Sequence, residues 1–208
     1  LSALRRELHS DSGVVLITGT AGSGKTTTAY ACLRAVLHDT APQRSVVTLE
    51  DPIEAELIGA CQSQINQAVG YEWSTGLKAL LRQDPEVTMV GEIRDAETAA
   101  MVFQAAMTGQ LVITTMHARS AADALRRLLD MQVPPHHLLS GLSLLLCQRL
   151  LRGACGECSQ TQRLFGSGGY TPDEHRDRSA AQSKCATCGG SGYAGRVLLA
   201  EQLPPLEG

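Results

Sequence analysis

Val14-Val-Leu-Ile-Thr-Gly-Thr-Ala-Gly-Ser-Gly-Lys-Thr26 runs straight from a β-branched apolar segment into a glycine-rich loop. Its second part, Gly19 to Thr26, fits the pattern G-x-x-x-x-G-K-[ST]. The residues from Lys25 to Leu37 follow with helical patterning, so the segment predicts a strand, a phosphate-cradling loop and a helix in that order. Glycines let backbone N–H groups turn inward on phosphate oxygens, and the helix N-terminus adds a favourable dipole. Gly19, Thr20, Ala21, Gly22, Ser23, Gly24, Lys25, Thr26 and Thr27 are therefore the candidate nucleotide-binding residues. Lys25 is expected on the β- and γ-phosphates, and Thr26 is expected to offer its hydroxyl to magnesium.

Outward from that loop, three more segments read as strands buried on both faces: Val46 to Leu49, Val87 to Val90 and Leu111 to Thr115. Helical patterns lie between or after them at Thr75 to Arg82, Asp95 to Met107 and Ala121 to Met131. The alternation predicts an α/β fold with a mostly parallel sheet covered by helices. After Pro134 and Pro135 a last helix is expected from His136 to Leu151. Beyond Arg152 the composition shifts to Cys, Gly, Ser and Thr, too poor in apolar residues to hold itself together by burial. The expected domains are residues 1–152, a nucleotide domain, and 153–208, a stapled module returning to it.

The 208 residues carry 18 Lys and Arg against 21 Asp and Glu, a formal charge of −3 with 43% hydrophobic residues. That balance suits a globular chain and gives no electrostatic reason to bind nucleic acid. No apolar stretch reaches the roughly 20 residues a bilayer requires. A Leu-Ser-Ala start without a signal-type segment leads us to expect part of a longer cytoplasmic protein.

Parallel strands present their C-terminal ends to the ligand crevice. Glu50, Asp51 and Glu54 follow the second strand, Glu92 and Asp95 the third, and Thr115 and His117 close the fourth. Carboxylates there have two uses, holding a metal and orienting water. Asp95 has an equally good reading as a helix cap. His117 is placed to hydrogen-bond a γ-phosphate oxygen, whereas His9, His38, His136, His137 and His175 read as surface or packing residues. A small-molecule kinase and a nucleotide-regulated binding module without turnover are the alternatives to hydrolysis.

The seven cysteines divide into two populations. Cys32, Cys61 and Cys147 stand alone and read as small hydrophobes. Cys155 and Cys158 form one C-x-x-C pair, Cys185 and Cys188 another. Two such pairs can close one tetrahedral site, for zinc first and iron second. Disulfides or reactive pairs are the other reading.

Together, GTAGSGKTTT, VTLEDPIE, LLRQDPEVTMVGEIRDAETA and GQLVITTMHARSAADALRRLLDM resemble the secretion ATPase superfamily, specifically the motors of type II secretion and type IV pilus assembly. In that family they are the Walker A, Asp box, atypical Walker B and His box segments of a RecA-like P-loop ATPase. The resemblance implies ATP and magnesium as ligands and assigns Glu50 and Glu54 to the Asp box. It gives Glu92 to the metal or the catalytic water and His117 to the γ-phosphate, with the base left open among the glutamates. It also implies a homo-hexamer, arginines such as Arg82, Arg94 and Arg127 acting across interfaces, and association with the inner membrane only through secretion or pilus platform proteins. The tetracysteine module, followed by Gly192-Tyr-Ala-Gly-Arg196, resembles the secretion and pilus-extension members, in which the metal is structural. Ala118-Arg119 departs from the family's usual Thr-Asn after the histidine. Taken without the family's upstream domain, the chain is expected to be monomeric or weakly associated, with low activity.

Overall fold

A computed structural model describes residues 2–40, 44–157 and 185–203. Among them a short helix α1 (Ser2–Leu8) precedes β1 (Gly13–Thr18), and α2 (Lys25–Thr40) leaves the glycine loop. Then come β2 (Val46–Glu50), β3 (Cys61–Gln64), a single 3₁₀ turn at Gln67–Val69 and α3 (Trp73–Leu81). The chain continues through β4 (Val87–Val90), α4 (Ala96–Met107), β5 (Leu111–Met116), α5 (Ala121–Asp130) and α6 (Pro135–Gly141). It ends in two long strands, β6 (Leu142–Ala154) and β7 (Tyr193–Leu203).

The strands form one sheet in the order β3-β2-β4-β5-β1-β6-β7. Every pairing from β3 to β6 is parallel. Each apolar strand serves two cores, which is why its sequence is nearly continuous in apolar character. Val14, Leu16, Val47, Leu49, Val90 and Val112 pack with α3 to α6 residues such as Leu77, Phe103, Leu128 and Leu138. Their neighbours Val15, Ile17, Val46, Met89 and Ile113 point the other way, against Leu4 and Leu8 of α1 and Leu33 and Val36 of α2. Helices on both faces of a parallel sheet make this an α/β fold of the expected class.

The expected helix over His136 to Leu151 is corrected. Only Pro135–Gly141 is helical, and Leu142–Ala154 is a strand hydrogen-bonded alongside β1. Leu144 and Leu146 enter one core and Leu145 the other. Burial that alternates between two opposite faces, residue by residue, is a strand's periodicity and not a helix's. The run Leu142 to Cys147 is apolar except for Ser143, and such a run reads equally as helix or strand until its neighbours are known. Here the free edge of β1 decides. Three elements without a strong pattern, α1, β3 and β7, also escape sequence reasoning; β3 is the polar edge segment Cys-Gln-Ser-Gln.

The described residues fall into two compact units, divided at Arg149/Leu150 and at Leu199/Ala200. The larger unit contains α1 to α6 and both cores. No helix among the described residues is long and apolar enough to cross a membrane.

Candidate nucleotide site

The glycine loop joins β1 to α2 and is held from beneath by β6. Gln148, fully buried, donates from Nε2 to the Ser23 carbonyl at 2.9 Å and accepts from Thr28 Oγ1 at 3.0 Å. A Cβ on Gly19 would stand 2.4 Å from both the Gln148 carbonyl and Ser23 Oγ, so only glycine fits that approach. Gly24, with φ of +87°, takes the left-handed conformation that turns the loop into the helix.

A cavity of about 290 Å³ opens beside this loop. Ala21, Gly22, Lys25, Thr26, Glu50, Glu54, Glu92 and His117 all line it, joined by Asp51, Trp73, Arg94 and Thr115. The structure thus brings four separated motifs to one place. Gly19, Thr20, Ser23, Gly24 and Thr27, the other expected binding residues, shape the loop or stand next to it without lining the cavity. Ser23 is buried, while Thr20 and Thr27 are exposed. Asp95 caps α4 instead, accepting from Thr98 N at 2.7 Å. Arg82 is exposed and outside the cavity lining.

A chain of polar contacts crosses the cavity. Lys25 Nζ donates to the carbonyls of Gly19 and Thr20, each at 3.2 Å, and lies 3.3 Å from His117 Nδ1. His117 Nε2 is 3.2 Å from Glu92 Oε1. His117 thus bridges Lys25 and Glu92 through its two ring nitrogens. Glu92 Oε2 accepts from Arg94 Nε at 2.9 Å, and Arg94 Nη1 reaches Asp51 Oδ2 at 3.8 Å. Burial pushes the Lys25 amine below its ordinary pKa, and the Glu92 charge partly restores it. Thr115 Oγ1 donates to the Gly91 carbonyl at 2.7 Å, and Ile93 N to the Thr115 carbonyl at 2.9 Å, pinning the Glu92 turn to β5.

Glu50 and Glu54 occupy different environments. Glu50 is buried at the end of β2 and accepts from Tyr30 Oη, from Thr48 Oγ1 at 2.6 Å and from Gln62 Nε2 at 3.0 Å. Glu54 is exposed on the loop that follows, past the cis Asp51–Pro52 peptide. Hydroxyl and carboxylate oxygens from Thr26, Glu50, Glu54 and Glu92 around one cavity are the hard donor set that suits magnesium.

Gln148, Tyr30, Trp73 and Gln62 were not singled out from the sequence. Tyr30 alone left a trace there, because it lies four residues after Thr26 and hence on the same face of α2.

The smaller unit gathers cysteines. The sulfurs of Cys155, Cys185 and Cys188 all lie within 4.8 Å of one another, with Cys155 fully buried. Cys155 and Cys185 Sγ are 3.8 Å apart, and Gly192 N donates to Cys188 Sγ at 3.3 Å. A disulfide holds sulfurs at about 2.0 Å, whereas thiolates about 2.3 Å from a tetrahedral zinc stand roughly 3.8 Å apart. Cys158 lies outside the described residues.

A family model described as "Type II/IV secretion system protein" matches residues 1–207. The chain is 43% identical over 198 residues to the type II secretion system protein E of Pectobacterium carotovorum subsp. carotovorum, covering 93% of this chain and 39% of that protein. It is 44% identical over 197 residues to the type II secretion system protein E of Pseudomonas aeruginosa, covering 91% and 38% respectively. The chain thus spans about two fifths of the length of these relatives. Among solved structures, the pilus retraction motor PilT with bound ADP is similar at a TM-score of 0.71 and 28% identity, over 99% of this chain and 51% of that one.

Proposed function

The chain belongs to the type II/IV secretion system protein family, and on that premise we propose that it is the ATP-hydrolysing part of a motor for type II protein secretion or type IV pilus assembly. One observation carries the reading: Lys25, Thr26, Glu54, Glu92 and His117, drawn from four motifs, line a single cavity at the C-terminal edge of a parallel sheet. A pocket that only stored nucleotide would need the loop and Lys25, but not carboxylates from two further strand ends.

Backbone N–H groups of residues 19–26 receive the phosphates, and Lys25 exchanges its loop carbonyls for β- and γ-phosphate oxygens. His117, released from Lys25, turns its ring so that an N–H donates to a γ-phosphate oxygen. Glu92 and Glu54 flank the position of the attacking water; one accepts its proton as the terminal phosphate leaves for that oxygen, yielding ADP and inorganic phosphate. Magnesium, held through Thr26 and the carboxylates, would neutralise charge on the phosphate oxygens. Arg94 and Arg127 already serve this chain's own Glu92 and His117, the latter through its carbonyl. That leaves Arg82, exposed, as the candidate for service across a hexamer interface.

The proposed domains are residues 1–152 for the nucleotide and 153–208 for the metal module and its return to the nucleotide domain, a reading supported by the grouping of residues from Ala200 onward with the larger unit. Zinc on Cys155, Cys158, Cys185 and Cys188 holds that module structurally, since four thiolates leave no position for a substrate. Cytoplasmic placement at the inner membrane, through platform proteins, completes the proposal. Phosphate release by the full-length protein, abolished by Lys25→Ala, tests it; turnover insensitive to that change would refute it.

A further inference from the structure

Glu54 stands on an exposed loop, and something must fix where its carboxylate points. The loop's backbone is strapped by side chains from α2 and β3. Glu54 N and Ala55 N donate to Tyr30 Oη at 3.1 and 3.3 Å. Tyr30 Oη in turn donates to Glu50 Oε2, and both residues are buried. On the other side, Gln62 Oε1 accepts from Leu57 N at 2.7 Å while its Nε2 donates to the Ala55 carbonyl and to Glu50, each at 3.0 Å. Gln64 Oε1 accepts from Ile53 N at 3.1 Å.

Tyr30 is the member of this network that belongs to α2, the helix carrying Lys25 and Thr26 at its first turn. It lies one helical turn beyond Thr26, so the phosphate side of the cavity and the Glu54 side are joined through one phenol oxygen. A tyrosine kept only for packing would need its ring and a single partner. This one donates to one group and accepts from two.

We propose that Tyr30 is a positioning residue for hydrolysis, its hydroxyl fixing the loop so that Glu54 faces the phosphates held by α2. The proposal rests on the reading of this cavity as an ATPase site with Glu54 among its carboxylates. Burial and the neighbouring Glu50 both push the phenol pKa upward, which keeps the hydroxyl protonated and able to donate. Glu50, with three donors converging on it, then acts chiefly as the anchor of Tyr30.

The test is Tyr30→Phe in the full-length protein, which keeps the ring and removes only the hydroxyl. We expect kcat to fall by about 10- to 100-fold, the scale on which a small misplacement acts, while the Kd of a non-hydrolysable ATP analogue shifts by less than about twofold. Amide exchange at Glu54 and Ala55 should quicken in the nucleotide-free variant, as both N–H groups lose their acceptor. Adding Tyr30→Phe to Glu54→Gln should slow turnover no further, because both changes act on one group. Unchanged kcat, unchanged exchange at those two amides, or losses that multiply in the double variant would each overturn the proposal. An unmodified protein without turnover would instead defeat the ATPase reading beneath it.

Discussion

Lys25 Nζ stands 3.3 Å from His117 Nδ1 although 92 positions separate them in the chain. The amine that is expected to meet phosphate bonds two loop carbonyls and this ring. The contact also links the loop to the Glu92 carboxylate, since the other ring nitrogen bonds it. On the proposed reading, nucleotide would exchange these contacts for stronger, charge-assisted bonds between the amine and phosphate.

The lowered Lys25 pKa has a consequence for stability. The unfolded chain holds the Lys25 proton up to about pH 10.5, the folded chain only to a lower pH. Between those limits the unfolded state binds more protons, so stability rises with pH across that window. Nucleotide-free protein should gain stability relative to Lys25→Met as pH climbs toward 10.5, measured by denaturant unfolding at a series of pH values. A relative loss would mean that the pKa is raised instead.

Gly19→Ala should impair nucleotide binding without unfolding the sheet. The added methyl meets the Gln148 carbonyl and Ser23 Oγ at 2.4 Å. Backbone strain of about 1–3 kcal/mol at the loop corresponds to a loss of affinity of about 5- to 150-fold. Calorimetric titration with a non-hydrolysable ATP analogue is the measurement, and an unchanged Kd would show that the loop relaxes freely.

Leu144→Ala and Leu145→Ala should each destabilise by about 2–5 kcal/mol, because each empties space in a different core. Urea unfolding reads both. A helix over this segment would turn adjacent residues only about 100° apart, and one truncation large beside one near zero would favour it.

The cysteines should sort by environment. Burial pushes the Cys32 thiol up to about 12, so it should resist alkylation at pH 8 in folded protein while exposed Cys61 reacts. Protein purified without chelator should contain about one zinc per chain and protect Cys155, Cys185 and Cys188 until the metal is stripped. Mass-spectrometric mapping with elemental analysis follows both; zinc-free protein with those three thiols freely alkylated would exclude the metal.

Much of this molecule is legible in its residues. The glycine loop, the four apolar strands β1, β2, β4 and β5, and the strand-end positions of Glu54, Glu92 and His117 follow from local pattern and from the geometry of parallel sheets. What escapes depends on contacts distant in sequence. Leu142 to Cys147 becomes a strand because β1 has a free edge, a fact no window of residues contains. Gln148 supports the loop from 125 positions away, and a glutamine inside an apolar run announces nothing by itself. Tyr30 looks like one more apolar residue of α2 until the β2–β3 loop folds over it. Glu50 and Glu54 belong to one motif, yet only burial separates the anchored carboxylate from the exposed one.

The most direct measurement compares ATP binding with ATP turnover in full-length Glu92→Gln and Lys25→Ala. Glu92→Gln keeps the loop and its lysine, so it should bind ATP within a fewfold of the unmodified protein and turn it over at least about 100-fold more slowly. Lys25→Ala should lose both binding and turnover. Substantial hydrolysis surviving in both variants would contradict a catalytic cavity built from these residues.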